Sequence, residues 1–183
     1  TFRVSDRIKT GNGILDIQIG TNSVVRIGKN TAFLLTKLFE ENGTVKVNLN
    51  LNEGSALAKV VKKMEKGSEF KITTPTKTAG VRGTQFMVQE GQDSTSKSES
   101  EKIPDGIFVK EGEVTVKAAY SQRQISVKAG EELITAQKKI QAQMLDSFMK
   151  EKLRILETLN VLQEENYKLL QEQYRKNQEL LKK

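Results

Sequence analysis

The sequence predicts a mostly-β domain over residues 1–136, a sandwich or barrel of short strands, followed by one long amphipathic helix over 137–183. Three observations predict it. Apolar and polar residues alternate with period two through most of 1–136, as in strands covered on one face only. Turn-forming clusters recur at roughly 8–12-residue spacing, and no helical pattern interleaves with them to suggest βαβ units. Beyond Ala136 neither Pro nor Gly occurs, and the apolar residues move to helical spacing.

Along the chain, Leu15, Ile17 and Ile19 share one strand face, and Val25 with Ile27 mark the next strand. The clearest case runs from Thr44 to Asn52, where Val45, Val47, Leu49 and Leu51 alternate with Lys46, Asn48 and Asn50. Residues 55–64 fit either an edge strand or a turn or two of helix. Further pairs follow at Phe70/Ile72, Phe86/Val88, Ile107/Val109, Val114/Val116 and Ile125/Val127. Turns separate them at Gly11-Asn12-Gly13, Gly20-Thr21-Asn22, Gly28-Lys29-Asn30, Asn42-Gly43, Asp105-Gly106, Glu111-Gly112 and Ala129-Gly130. A short β-solenoid is the alternative, because 42–47 and 111–116 look like copies of one unit. Residues 89–102 contain no apolar side chain, so they predict a mobile polar loop that cannot offset the entropy of ordering.

In the helical region a heptad with Leu145, Leu159 and Asn166 at a places Phe148, Ile155, Leu162 and Leu169 at d. An Asn at a core position fixes register. Lys152, Gln173 and Lys176 interrupt the seam, while Met149, Leu156, Leu170 and Leu181 widen the apolar stripe. The stripe therefore suits self-association, packing along the chain's own β domain, or docking to another protein.

Composition narrows the chemistry. The chain has no His and no Cys, which removes the usual general base, imidazole and thiolate metal ligands, and thiol nucleophiles. Glu111 with Glu113, and Glu131 with Glu132, are the only carboxylate pairs worth weighing for glycoside hydrolysis; lacking aromatic neighbours, they look like solvated turn acids. Asp6 and Asp16 look like surface charge. Gly11-Asn12-Gly13 and Gly80-Val81-Arg82-Gly83 lack the following helix N-terminus that a phosphate loop needs. No catalytic, cofactor or metal site is expected. The net charge of +7 is spread through mixed-sign surface, as at Lys110-Glu111-Gly112-Glu113, so nucleic acid is not an expected partner. No apolar run approaches the roughly 20 residues of a spanning helix. Membrane association would come only through an anchor outside this chain.

One stretch stands apart from ordinary hairpins. Thr74-Pro75 opens it, and Ala79, Val81-Arg82-Gly83-Thr84 and Phe86 follow, suggesting a shaped crossover between two strands. This pattern resembles the signature of the FecR domain family. Residues 5–11, 23–31 and 127–131 resemble that family's first hairpin, its next segment and its closing Ala-Gly-Glu turn. The resemblance implies a FecR-type β-sandwich or jelly-roll and a non-enzymatic module of the bacterial cell envelope, periplasmic or surface-exposed. Signal transmission or protein contact is the implied role, with a peptidoglycan- or carbohydrate-binding role as the alternative. Better-known members pass a signal from an outer-membrane receptor to a sigma factor through a cytoplasmic tail. This chain shows neither tail nor spanning helix, which fits a lipid-anchored or secreted protein. Thr74, Pro75, Val81, Arg82, Gly83, Thr84 and Phe86 are the expected motif and interaction residues. Arg82 is either held against the sheet or presented to a partner.

Overall fold

The computed structural model describes residues 3–20, 23–41, 44–60, 66–81, 83–91, 102–120, 123–135 and 142–155, and beyond them 157, 161, 165–166, 168–169, 171–173, 175–176 and 179. Strands dominate: β1 (Arg7–Lys9), β2 (Leu15–Ile19), β3 (Ser23–Ile27), β4 (Ala32–Glu41), β5 (Thr44–Val60), β6 (Glu69–Thr73) and β7 (Lys77–Val81) precede the crossover. After it come β8 (Gln85–Glu90), β9 (Gly106–Glu111), β10 (Glu113–Ala118), β11 (Gln124–Lys128), β12 (Glu131–Ile134), β13 (Ala142–Met144) and a helix, α1 (Ser147–Leu153). Residues 55–60, ambiguous in sequence, continue β5 as strand.

The strands form one 13-stranded sheet with β5 as its shared spine. The first half of β5 pairs with β4 on one side and β6 on the other, and the order runs β11-β10-β7-β6-β5-β4-β1. Its second half pairs with β3 and β8, in the order β13-β12-β9-β8-β5-β3-β2. The two half-sheets face one another across a single apolar core that includes Val47, Leu49, Phe70, Ile72, Phe86 and Val109. Strand β11 packs against β9, β12 and β13, closing one side of a nearly complete barrel-like wall.

Burial along β5 shows how the sheet bends. Val45, Val47, Leu49 and Leu51 face the core, and beyond the bend Ala56, Ala58 and Val60 do. The inward parity therefore switches from odd to even, which takes one irregular step between Leu51 and Ala56. Gly54 supplies it with φ of 96°, and an added Cβ there would lie 2.6 Å from the Cα of Thr31. The Thr31 hydroxyl takes over at the interrupted ladder, accepting from the Ser55 amide at 3.0 Å and donating to the Lys29 carbonyl at 3.1 Å.

A second apolar cluster lies on the outer face of the second half-sheet. Cross-strand register aligns Leu57 with Met87 and Met87 with Phe108, and these residues with Val24 pack under Leu145, Met149 and Leu153. This half-sheet is thus covered on both faces, unlike the one-sided strands that the alternation predicts.

Three expectations about the fold are corrected. No two independent sandwich sheets form, because β5 belongs to both halves. Nor is the chain a solenoid: the look-alike segments entering β5 and β10 are separated by β6 and β7, and only β5 and β6 pair in parallel among the described strands. The one long helix over 137–183 does not form either. Residues 142–144 pair with β12 as β13, and α1 spans seven residues before a turn at Arg154 and Ile155. Local bonds explain the short helix. Asp146 caps its start, accepting from the Met149 amide at 2.7 Å, and the Arg154 amide bonds three residues back to Glu151, tightening the final turn. Glu157 and the later helical residues lie beyond that turn.

Candidate interaction site at the crossover

The chain segments that carry the family resemblance become the joints of the sheet. Thr10, at the end of the first, donates its hydroxyl to the Gly28 carbonyl at 2.6 Å and accepts from the Thr31 amide at 2.9 Å, locking the second segment beside the β5 bend. In the closing turn, the Gly130 amide bonds the Val109 carbonyl and the Gly130 carbonyl accepts from the Leu145 amide, so this turn holds the chain entering α1.

The central joint is the path from β7 in one half-sheet to β8 in the other. Val81 is buried at the end of β7, Gly83 turns with φ of 64°, and Phe86 is fully buried in β8. The Thr84 carbonyl accepts from the Val60 amide at 2.9 Å, and Gly112 abuts the turn closely enough that an added Cβ would lie 2.5 Å from the Gly83 carbonyl oxygen. The Thr84 hydroxyl is buried without a partner among the described residues. Arg82 lies outside the described residues.

Upstream, Thr74 is buried and Pro75 exposed. The Thr74 hydroxyl accepts from the amides of Thr76 at 3.2 Å and Lys77 at 3.1 Å, a side-chain-mimicked turn that Pro75 suits because it gives up no needed donor. The turn drives Lys77 inward. Its ammonium is fully buried, 2.5 Å from Glu90, and donates to the Gln89 carbonyl at 3.1 Å and the Thr135 hydroxyl at 3.4 Å. Asp105 lies close to this pair. Burial pushes its carboxyl upward, opposed by the Lys77 charge.

This buried polar knot ties the Thr-Pro turn to Glu90, inside the 89–102 stretch expected as a mobile loop, and to Asp105 just beyond it. Gln89 and Glu90 are themselves buried in β8; residues 92–101 of that stretch lie outside the described residues. Sequence reasoning missed Lys77, Glu90, Asp105 and Thr135. The available signal was parity: Lys77 shares the inward face of Ala79 and Val81.

The weighed acids are dispersed. Glu111 accepts from Gln85 at 2.7 Å, Glu113 from the Ser126 hydroxyl, and Glu131 from the Lys128 amide at 2.8 Å. Glu132 differs, being buried where β12 pairs with β13. One of its oxygens accepts from Gln143 at 2.8 Å, the other has no partner among the described residues, and burial pushes its carboxyl upward. Asp16 forms a bidentate pair with Arg26, at 2.7 and 2.8 Å.

Of the expected helix seam, Leu145 is buried but precedes α1, Phe148 is half-buried, Ile155 and Leu169 are exposed, and Asn166 is intermediate. Leu159 and Leu162 lie outside the described residues. The buried face is instead Leu145, Met149 and Leu153, four residues apart, set against the chain's own sheet. Among the described residues no helix is long and apolar enough to cross a membrane.

Two solved structures share this fold, both of a candidate anti-sigma factor from Parabacteroides distasonis. One aligns with a TM-score of 0.60 at 17% identity, covering 79% of this chain and 62% of that one. The other gives 0.58 at 18% identity over 78% and 61%. This chain thus spans about three fifths of their length. No curated protein matches it in sequence. The family model described as FecR protein matches residues 6–115, from the first joint through the crossover into β10. With more than half of its length inside that match, the chain belongs to the FecR protein family.

Proposed function

We propose that this chain is a non-enzymatic signalling module of the bacterial cell envelope, displayed in the periplasm or at the surface and acting by contact with other proteins. The observation that carries this reading is the family match over residues 6–115, whose signature segments form the joints of the fold. A module that relays a signal needs a surface fixed in shape, and these joints supply one around the crossover.

The likeness to candidate anti-sigma factors supports a place in sigma-linked signalling, with this chain as the folded part exposed to the signal. Arg82, between Val81 and Gly83 in the sequence, is the proposed contact residue. Attachment through a lipid or another segment outside residues 1–183 would hold the module at the membrane.

A photo-crosslinking amino acid at Pro75 or Arg82, in the protein expressed at native level in its own envelope, tests the reading. The expected product is a discrete adduct with an envelope or signalling protein, absent without irradiation. Deleting the domain should alter transcription of a defined gene set. Absence of any adduct together with an unchanged transcript profile would overturn the proposal.

A further inference from the structure

The wall of the barrel closes by packing at β11 but stays open on its other side. There β1 ends one half-sheet and β2 the other, and among the described residues neither pairs with a second neighbour at its outer edge. A cleft of about 510 Å³ occupies this seam. Its floor is apolar, with Ile8, Phe33, Leu35 and Leu49, and Leu38 stands exposed at its rim.

Two features indicate what the cleft accepts. Asp16, Ile17, Gln18, Ile19 and Gly20 all border it, and consecutive residues of both parities can line one cleft only along a strand's edge. The free backbone of β2 therefore faces the opening. On the opposite side, the Thr10 amide bonds Thr31 and the Leu35 amide bonds Asp6, so the even positions of β1 turn their backbone toward β4. Antiparallel alternation then leaves the N–H and C=O groups of Arg7 and Lys9 pointing away from β4, at the open edge. In addition, the Gln18 side-chain oxygen is buried without a partner while its amide donates to the Gly20 carbonyl at 3.1 Å, leaving an acceptor for an incoming N–H.

We infer that the seam is a docking slot for an extended segment of a partner protein, added as a strand along β2 with alternate apolar side chains seated over Ile8, Phe33 and Leu35. Strand addition draws its affinity from main-chain hydrogen bonds and its selectivity from the pockets under alternate side chains. Charge complementarity fixes the flanks of that segment. Arg7 and Lys9 flank the lining residue Ile8 along β1, Lys37 precedes Leu38 at the rim, and all three are exposed, whereas Asp16 is already neutralised by Arg26, so acidic residues border the docking strand. This inference rests on the protein-contact reading above and adds a second contact surface to it, away from the crossover.

The test uses the full chain and a short synthetic peptide of alternating valine and threonine with a glutamate at each end. Binding should slow amide hydrogen exchange at Asp16 and Gln18, whose N–H groups alternate away from β3, and leave β10 unchanged. N-methylation of alternate peptide amides removes several main-chain bonds and should weaken binding by about tenfold or more. Leu38→Lys, at the exposed rim, should weaken it as well, while Tyr120→Lys should not. Equal binding of the N-methylated peptide, an acyl chain that fills the slot where the peptide does not, or protection of β2 through dimerisation of the chain would each overturn the inference. A crosslinked partner at Pro75 with no peptide effect at β2 would sink the slot and leave the signalling role standing.

Discussion

At the scale of single residues, the buried Lys77–Glu90 pair is where a small change should have the largest effect. Removing one member leaves the other charge buried and uncompensated, whereas removing both leaves a neutral packing problem. Lys77→Met should destabilise the domain by about 3–5 kcal/mol, and Lys77→Met with Glu90→Gln should recover much of that loss. Denaturant titration of the two variants checks this, and an equal or larger loss in the double variant would count against the pair. Glu132 gives the domain a pH dependence of definite sign. Burial raises its carboxyl above the value in the unfolded chain, so the folded state binds that proton more readily. The associated stability is full in acid and is lost as pH rises through the folded value. Glu132→Gln should therefore gain thermal stability relative to the parent progressively from acid toward neutral pH; a pH-independent difference would refute the assignment. These residues were hard to see in the sequence, because Lys, Glu and Asp at strand positions look like solvated charge. Only the parity of Lys77 with Ala79 and Val81 betrayed it, and its partners lie 13 and 58 residues away. The motif residues were visible for the opposite reason: Pro75 and Gly83 impose backbone shapes that alternation alone does not require.

At the scale of elements, the strands were legible and the helix was not. Period-two alternation places Val45 through Leu51 correctly on the core face, and Val114 and Val116 likewise. A heptad count fails on the tail because it asks which residues could pair between helices, not whether a nearer apolar surface exists. That surface was present in the sequence. Phe86-Met87-Val88 and Ile107-Phe108-Val109 are unbroken apolar triplets, the mark of strands covered on both faces. Their middle residues, Met87 and Phe108, meet Met149 and Leu153. The hold of α1 on the sheet is therefore testable. Met149→Ala should cost about 2–5 kcal/mol, and Asp146→Ala, which removes the cap of a seven-residue helix, about 1 kcal/mol. Hydrogen exchange should show both variants loosening α1 and β13 before β5. Uniform loosening throughout would mean that α1 is not a separable layer.

At the scale of the whole molecule, the bend in β5 governs the rest. Its sequence signature was only a glycine and a broken alternation, which predict an irregularity but not that opposite ends of one strand serve opposite walls. Gly54→Val would need a branched side chain at φ of 96° and against Thr31, so the variant should lose cooperative unfolding altogether, as followed by near-UV circular dichroism during heating. A native-like sharp transition would show that the bend tolerates what its geometry forbids.

A spine common to both walls has a mechanical corollary. Neither wall can peel away while the other stays intact, since either loss strips β5 of half its ladder, and a cut near Gly54 would orphan both. Tension applied at one terminus is therefore shared across the barrel until it yields as a unit. A domain assembled this way gives way in full or not at all.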